Sequence, residues 1–367
     1  MVVCFFGAYN AAYPRNSVIR KGLRLNGVDV VECHVQPKYK FWLRYPLLIS
    51  RSLRFLLKHD FFFVPEFCQK DVPLAKILSL AASKKIIFDP LAPRFETKIT
   101  DWKRRPPGSW QARWNFKIDS LAFKLSDLVL ADTHAHKDYY WRNYGIPAEK
   151  VEVLPVGYDD ELYRPTAAKR KAEPFTVLFF GSFLPLHGVE LILEAAKIIS
   201  AEEASVRFKL IGSGQTLPRA SALASKLGLS NVEFEGWLPQ SELPQRIAAS
   251  DICLGIFGKT EKAGRVVPHK IFQAMGMRKP VITARTTAVE EFFMHGENIF
   301  LVDALEPELL AEAILKLKKD ANLRETIAEK GFKLVSRDFS PKAIGSILLR
   351  IIERKFIPRQ TSFCRSP

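Results

Sequence analysis

Arg265 to Ile282 reads RVVPHKIFQAMGMRKPVI, and the fold follows from this stretch. Pro268 is expected in the first turn of a short helix, where its missing N–H is no loss. Lys270 and Gln273 are three residues apart and share one face of that helix. Gly276 is a stop signal, and Pro280-Val281-Ile282-Thr283 reads as a buried strand. No Ser, Thr, Asp or Asn stands just ahead of the helix as a cap. Its free N–H groups, and the positive end of its dipole, therefore aim at whatever precedes Pro268. With Arg265, Lys270 and Lys262 nearby, the segment outlines an anion site, and phosphate is the commonest such anion. An ordinary helix with solvated charges fits the same residues.

The surrounding sequence alternates short β-rich runs with helical segments. In the second half the runs are FTVLFF (175–180), VRFKLI (206–211), VEFEGWL, ICLGIF, PVIT and IFLV; in the first half VVCFF, DVVECHV, FFFVP, KIIFD, LVLAD and VEVLP. Strands alternating with helices imply parallel sheets covered on both faces. The fold class is therefore α/β, with two Rossmann-like domains facing a cleft. The N-terminal domain is expected over 1–165 and the C-terminal one over 170–338, with the linker in the polar, Pro-containing stretch 156–174. The last segment, 339–367, is expected to be a helix packing back on the first domain, followed by a tail. Ligands in such folds bind beyond the carboxyl ends of the strands, so the chemistry belongs in those loops.

In the second half these loops contain Gly181-Ser182 through His187-Gly188, then Gly212-Ser213-Gly214, then Phe257 to Lys270. The glycines let backbone approach a ligand closely. There is no G-x-G-x-x-G fingerprint, Walker loop or G-x-S-x-G elbow, which argues against nicotinamide enzymes, P-loop ATPases and α/β-hydrolases. The chain has 367 residues and a net charge of +16, shared by both halves. Such a charge suits nucleic acid, an anionic membrane or a phosphorylated substrate. The five cysteines are scattered without zinc spacing, which suits reduced thiols in the cytoplasm. The N-terminus does not read as a signal peptide. No metal site is expected.

GSFLPLHG, LIGSG and EKAGRVVPHKIFQAMGMRKPVIT together resemble the nucleotide-binding domain of family 4 glycosyltransferases of the GT-B fold (glycosyl transferases group 1). The last stretch is similar to that family's P-x-K-x-x-E-x-x-x-x-G-x-P-V-I pattern. LVLADTHAH and VEVLPVGYDDELY extend the likeness, more loosely, into the first half. The resemblance implies an enzyme moving a sugar from a UDP- or GDP-linked donor, with retention and without a metal or other cofactor. It implies that Arg265 and Lys270 hold the diphosphate, with Gly181, Ser182, Gly212, Gly214 and Pro268 beside it. Residue 273 would meet the ribose hydroxyls, and Glu261 would lie near the donor sugar. Gln273 stands where the family prefers Glu, and Ser182 and His187 stand where many members carry Arg and Lys. Lys262 and Arg265 would then have to replace those cations.

In the first half, His134 follows LVLA and is a catalytic candidate, although Asp132 or Thr133 can equally be read as a helix cap. Gly7, Tyr13, Arg15, Asp89 and Asp101 are acceptor-side candidates; the plainer reading makes Asp89 and Asp101 solvated surface charges. Residues 37–58 hold six basic residues and no acidic one, interleaved with aromatics, and 101–114 repeat the mixture. Such composition suits an anionic membrane surface or a nucleic-acid face, or a helix with its cations in solvent. With a transferase second half, a lipid-linked or polysaccharide acceptor at the inner face of the membrane unites these features. The alternatives are a GT-B-like sugar-nucleotide epimerase, a non-catalytic sugar-nucleotide-binding protein and, with no recognisable motif, a nucleic-acid-binding protein.

Overall fold

The computed structural model describes residues 1–55, 57–166, 174–303 and 306–357. Part of the expected linker, 167–173, and the tail from 358 lie outside them. Twelve parallel strands form two sheets. The first holds β1 (Val2–Gly7), β2 (Asp29–His34), β3 (Phe61–Val64), β4 (Lys85–Phe88), β5 (Leu128–Ala131) and β6 (Val151–Val153), in the order β2-β1-β3-β4-β5-β6. The second holds β7 (Phe175–Phe180), β8 (Val206–Ile211), β9 (Val232–Glu235), β10 (Ile252–Leu254), β11 (Val281–Ala284) and β12 (Phe300–Val302), ordered β12-β11-β10-β7-β8-β9. The central strands are apolar on both faces because helices cover both, as in FFFV and LVLA, every residue of which is buried.

Each order reverses once. In the first sheet β1 pairs with β2 on one side and β3 on the other; in the second β7 pairs with β8 and β10. The chain leaves neighbouring strands in opposite directions at these two points and opens a crevice there. Gly7, Gly181 and Gly212 end their strands with φ of 140°, 135° and 138°, values that L side chains rarely adopt. A Cβ on Gly212 would stand 1.9 Å from the Gly181 carbonyl oxygen, so the second crevice is floored by backbone in direct contact.

The helix Pro341–Phe356 crosses back to lie along Pro14–Leu25. The approach is close enough that a Cβ on Gly345 would stand 2.2 Å from the Gly22 oxygen. One apolar cluster joins the first sheet, this helix and part of the second domain, including Phe272, Phe293 and Phe339. The basic-aromatic stretch forms a helix over Phe41–Leu53, with Pro46 inside it; the helix stops short of residue 58.

Candidate functional site

The helix at the heart of the sequence reading spans His269–Gly276. Pro268 sits one position earlier than expected, at the cap (φ −72°, ψ 151°), where an extended backbone suits the residue preceding a helix, and no side chain caps the end. Lys270 is 6% exposed, and its Nζ finds no hydrogen-bond partner among the described residues. That Nζ lies 3.7 Å from the centre of the Phe179 ring, and 3.2 Å from where a Cβ on Gly181 would be. Burial holds the Lys270 pKa well below its ordinary value. The uncompensated burial disfavours the charged amine, and an anion in the crevice would restore it.

His187 lies beside it, hydrogen-bonded through Nδ1 to the Ser182 carbonyl oxygen. Burial and then the Lys270 charge push its pKa well below the ordinary value, so it is a neutral imidazole. Gly214, with φ 152°, packs its Cα against the Phe183 backbone, and Gln273 is buried on the helix that carries Lys270. Lys270, Gly181, Ser182 and His187 thus meet at the reversal point of the second sheet.

Arg265 has carboxylate partners. It donates from Nε to Glu96 Oε1 at 2.9 Å and pairs with Glu261 Oε2 at 3.2 Å, while its guanidinium lies 4.3 Å from the Tyr139 ring centre. Glu96 belongs to the first domain and is fully buried. Its other oxygen meets His136 Nε2 at 2.9 Å, and His136 Nδ1 meets Asp132 Oδ1 at 2.6 Å. Burial alone would raise the Glu96 pKa, but His136, Lys262 and Arg265 outweigh it and hold it at about 2. Burial alone would lower His136, but Glu96 and Asp132 outweigh it and hold it at about 9. The result is a charged relay crossing the domain boundary. Lys262 adds a bond to Thr97 Oγ1 at 2.9 Å, and Thr133 donates to the Arg265 carbonyl oxygen at 2.6 Å.

The first-domain candidates separate. His134 is exposed, and its backbone N–H is taken by Glu291 Oε2 at 2.7 Å. The buried histidine of that turn is His136, two residues on; both follow the same strand, and no sequence signal tells which one points inward. Thr133 caps the helix by accepting from the His136 N–H. Arg15 is fully buried, donating to Asp89 Oδ2 at 2.6 Å and to the Leu154 and Pro155 carbonyl oxygens. All its donor groups are directed inward, so it holds loops together instead of facing an acceptor. Asp89 and Asp101 are both 0% exposed, which corrects their reading as solvated charges. Burial raises the Asp101 pKa against the pull of Lys262 from the facing domain. Tyr13 stays at the cleft, its ring edge-on to His269 at 5.6 Å, and Gly7 packs against Cys68 and Asp71. Sequence reasoning missed Glu66, in the loop after β3, and Glu96, at the start of the helical turn Glu96–Asp101; their only signal is a position beyond a strand. Among the described residues no group of three or more His, Cys, Asp or Glu side chains is arranged to hold a metal ion.

Residues 174–320 match the family described as glycosyl transferases group 1. The alpha-D-kanosaminyltransferase of Streptomyces kanamyceticus is 26% identical over 251 residues, covering 65% of this chain and 63% of that protein. The lipopolysaccharide core biosynthesis glycosyltransferase LpsE of Rhizobium meliloti is 29% identical over 185 residues, covering 50% of this chain and 51% of its own length. The chain thus spans between half and two thirds of these curated relatives. Among solved structures, Anabaena HepE in complex with UDP and glucose superposes with a TM-score of 0.73 at 19% identity, over 96% of this chain and all of that one. Sucrose-phosphate synthase of Thermosynechococcus elongatus gives 0.73 at 15% identity, over 97% and 98%. The fold is GT-B.

Proposed function

We propose that this chain, whose residues 174–320 match the family described as glycosyl transferases group 1, moves a sugar from a nucleoside-diphosphate donor to a glycan or lipid-linked acceptor. The observation that carries this reading is the buried, unpartnered Lys270 ammonium at an uncapped helix start beside Gly181. A diphosphate there would meet Nζ, the free N–H groups of the first helical turn and the glycine backbone. When the bond from the anomeric carbon to the diphosphate breaks, negative charge grows on the leaving oxygens. Groups fixed beforehand stabilise that charge without reorganising. Gln273, on the same helix, offers its amide to the ribose hydroxyls. HepE was solved with UDP and with UDP-glucose, which supports a UDP-linked donor; GDP is the alternative. With Lys270 and backbone amides carrying the phosphate charge, the transfer proceeds without a divalent metal. Retention of configuration rests on the resemblance alone.

The acceptor is brought by a membrane surface. Trp42, Trp110 and Trp114 are 60%, 71% and 55% exposed; Lys40 Nζ lies 4.9 Å from the Trp42 ring centre, and Arg113 precedes Trp114. Exposed indoles flanked by cations insert at the headgroup level of anionic bilayers, which supports a peripheral position on the inner, cytoplasmic face. No helix among the described residues is long and apolar enough to cross a membrane.

A thermal-shift panel of UDP, GDP, CMP and ADP beside single-stranded RNA tests the donor site. One nucleoside diphosphate should stabilise the protein, and Lys270→Met should diminish that shift. A shift with RNA alone, or with none of the nucleotides, refutes the reading. Flotation with acidic liposomes tests the surface; no binding at low salt would end it.

A further inference from the structure

We infer that Glu96 is a positioning residue: through Arg265 it ties the loop 257–268 of the second domain to the first, and so fixes where a donor held at Lys270 stands relative to the first-domain face of the cleft. This rests on the transferase reading for the donor, and it moves Arg265 from the diphosphate to the tether.

The guanidinium of Arg265 is already engaged. Nε and Nη2 both lie 2.9 Å from Glu96 Oε1, Nη1 lies 3.2 Å from Glu261 Oε2, and the flat face rests over the Tyr139 ring. A diphosphate that took this cation would strip a fully buried Glu96 of its partner, and an uncompensated buried charge is strongly unfavourable. Lys270 has no partner to lose among the described residues. The two cations that flank the helix start therefore divide: Lys270 serves the donor, and Arg265 serves the domain boundary.

Glu96 is held rigidly on its own side. It opens Glu96–Asp101, a single turn of π-helix, a rare geometry that recurs at functional sites. Its Oε2 meets His136 Nε2, and His136 Nδ1 meets Asp132. Both ring nitrogens of His136 face carboxylates, so both donate and the ring is locked. One oxygen of Glu96 thus anchors in the first domain while the other reaches the second. The same short segment makes further crossings. Thr97 Oγ1 accepts from Lys262 Nζ at 2.9 Å, and the Trp102 carbonyl oxygen accepts from Gln215 Nε2 at 2.8 Å. Gln215 follows Gly214, so both donor-side loops are pinned by residues 96–102. Beside them Thr133 donates to the Arg265 carbonyl oxygen, and Glu291 accepts from the backbone N–H groups of His134 and Ala135 at 2.7 and 2.8 Å. These groups all lie beyond the carboxyl ends of their strands, where the two sheets face each other.

The tether reaches the donor because the chain between them is stiff. Val266 and Val267 are both buried, and the ring of Pro268 fixes its φ. Lys270 follows two residues later. A shift at Arg265 meets no slack before it moves the lysine. For groups that react from two separate domains, a misplacement of about 1 Å costs about 10²-fold in rate, so the placement that Glu96 enforces bears directly on transfer.

The test uses the full chain with nitroxide labels on Lys117→Cys and Lys226→Cys, exposed positions on the helices Trp110–Leu125 and Leu217–Lys226. Cys4, Cys33, Cys68 and Cys253 are buried, so labelling is selective once Cys364→Ser is made. Pulsed electron–electron double resonance should give one narrow interdomain distance in this labelled parent. Glu96→Gln should lose the narrow peak, and Glu96→Asp, which keeps the charge, should recover it. Calorimetry with the nucleotide chosen by the thermal-shift panel should give Kd values within about threefold of the parent for Glu96→Gln and Arg265→Lys, against a loss of about 10- to 150-fold for Lys270→Met. A broad distribution in the parent, an unchanged peak in Glu96→Gln, no recovery in Glu96→Asp, or a loss of affinity in Arg265→Lys as large as that in Lys270→Met would overturn the inference. If Glu96→Gln does not fold, Thr97→Val with Lys262→Met removes the neighbouring crossing and should broaden the peak; an unchanged peak there overturns the inference as well. If no nucleotide binds the parent, the transferase reading has failed, and the distance measurement still decides the tether.

Discussion

Replacing Lys270 by Met should have two opposite effects. In the free protein the ammonium is buried, unpartnered and close to Phe179. Met keeps the stem against that ring and removes a buried amine that burial penalises through its lowered pKa, so the variant should melt higher than the parent below the ordinary lysine pKa. In the complex, Nζ gives the diphosphate a charge-assisted hydrogen bond of about 1.5–3 kcal/mol. Its loss should weaken nucleotide binding about 10- to 150-fold. Protons report the same coupling. The folded-state pKa of Lys270 lies below its unfolded value, so between those values the unfolded chain binds more protons and stability rises with pH. That stability is present above the unfolded pKa and is lost as pH falls through the folded one. A bound diphosphate favours the charged form, so binding should take up a proton. Titration calorimetry in Tris and HEPES, which differ in ionisation enthalpy, should then give different binding enthalpies, and Lys270→Met should remove the difference. A variant that binds within twofold of the parent, with no change in melting or proton uptake, would refute the argument.

The His136 relay makes a second pH prediction. Its folded pKa of about 9 exceeds the ordinary 6.5, so its contribution is complete below 6.5 and disappears as pH rises to about 9; urea melts over that range should show the decline, and His136→Asn should flatten it. Glu96 works in the other direction, its contribution being complete above 4.5 and lost as pH falls toward about 2. Glu96→Ala strands Arg265 and His136 in a buried site and should cost about 3–5 kcal/mol by denaturation. Gly212→Ala drives a Cβ into the Gly181 oxygen and should cost at least about 1–3 kcal/mol, with nucleotide binding lost alongside; an unaffected melt would show that the glycine floor yields easily.

Much of the architecture was legible before any coordinates. FFFV and LVLA are apolar throughout, and KIIF after its exposed Lys85, because both faces of a parallel strand are covered, and composition shows that directly. The helix His269–Gly276 and its missing cap were also readable, since caps and stops are set by neighbours in the chain. The site was only partly legible. Lys270 emerged from its spacing, but Arg265 looked equally suited to phosphate. Its engagement with Glu96, 169 residues away, leaves no trace in local sequence. His134 and His136 sit on the same turn, and which one is buried depends on how that helix docks.

By itself, then, the sequence determined what depends on neighbouring residues: two alternating α/β halves, glycines at strand ends and an uncapped helix start with a lysine. The tertiary structure alone decided which charges meet. It buried Arg15 with Asp89, tied Arg265 to Glu96 and His136, and left Lys270 without a partner. The physical reason is that electrostatic and hydrogen-bond energies depend on distance and burial in space, and residues far apart in the chain acquire both only when the sheets and helices pack.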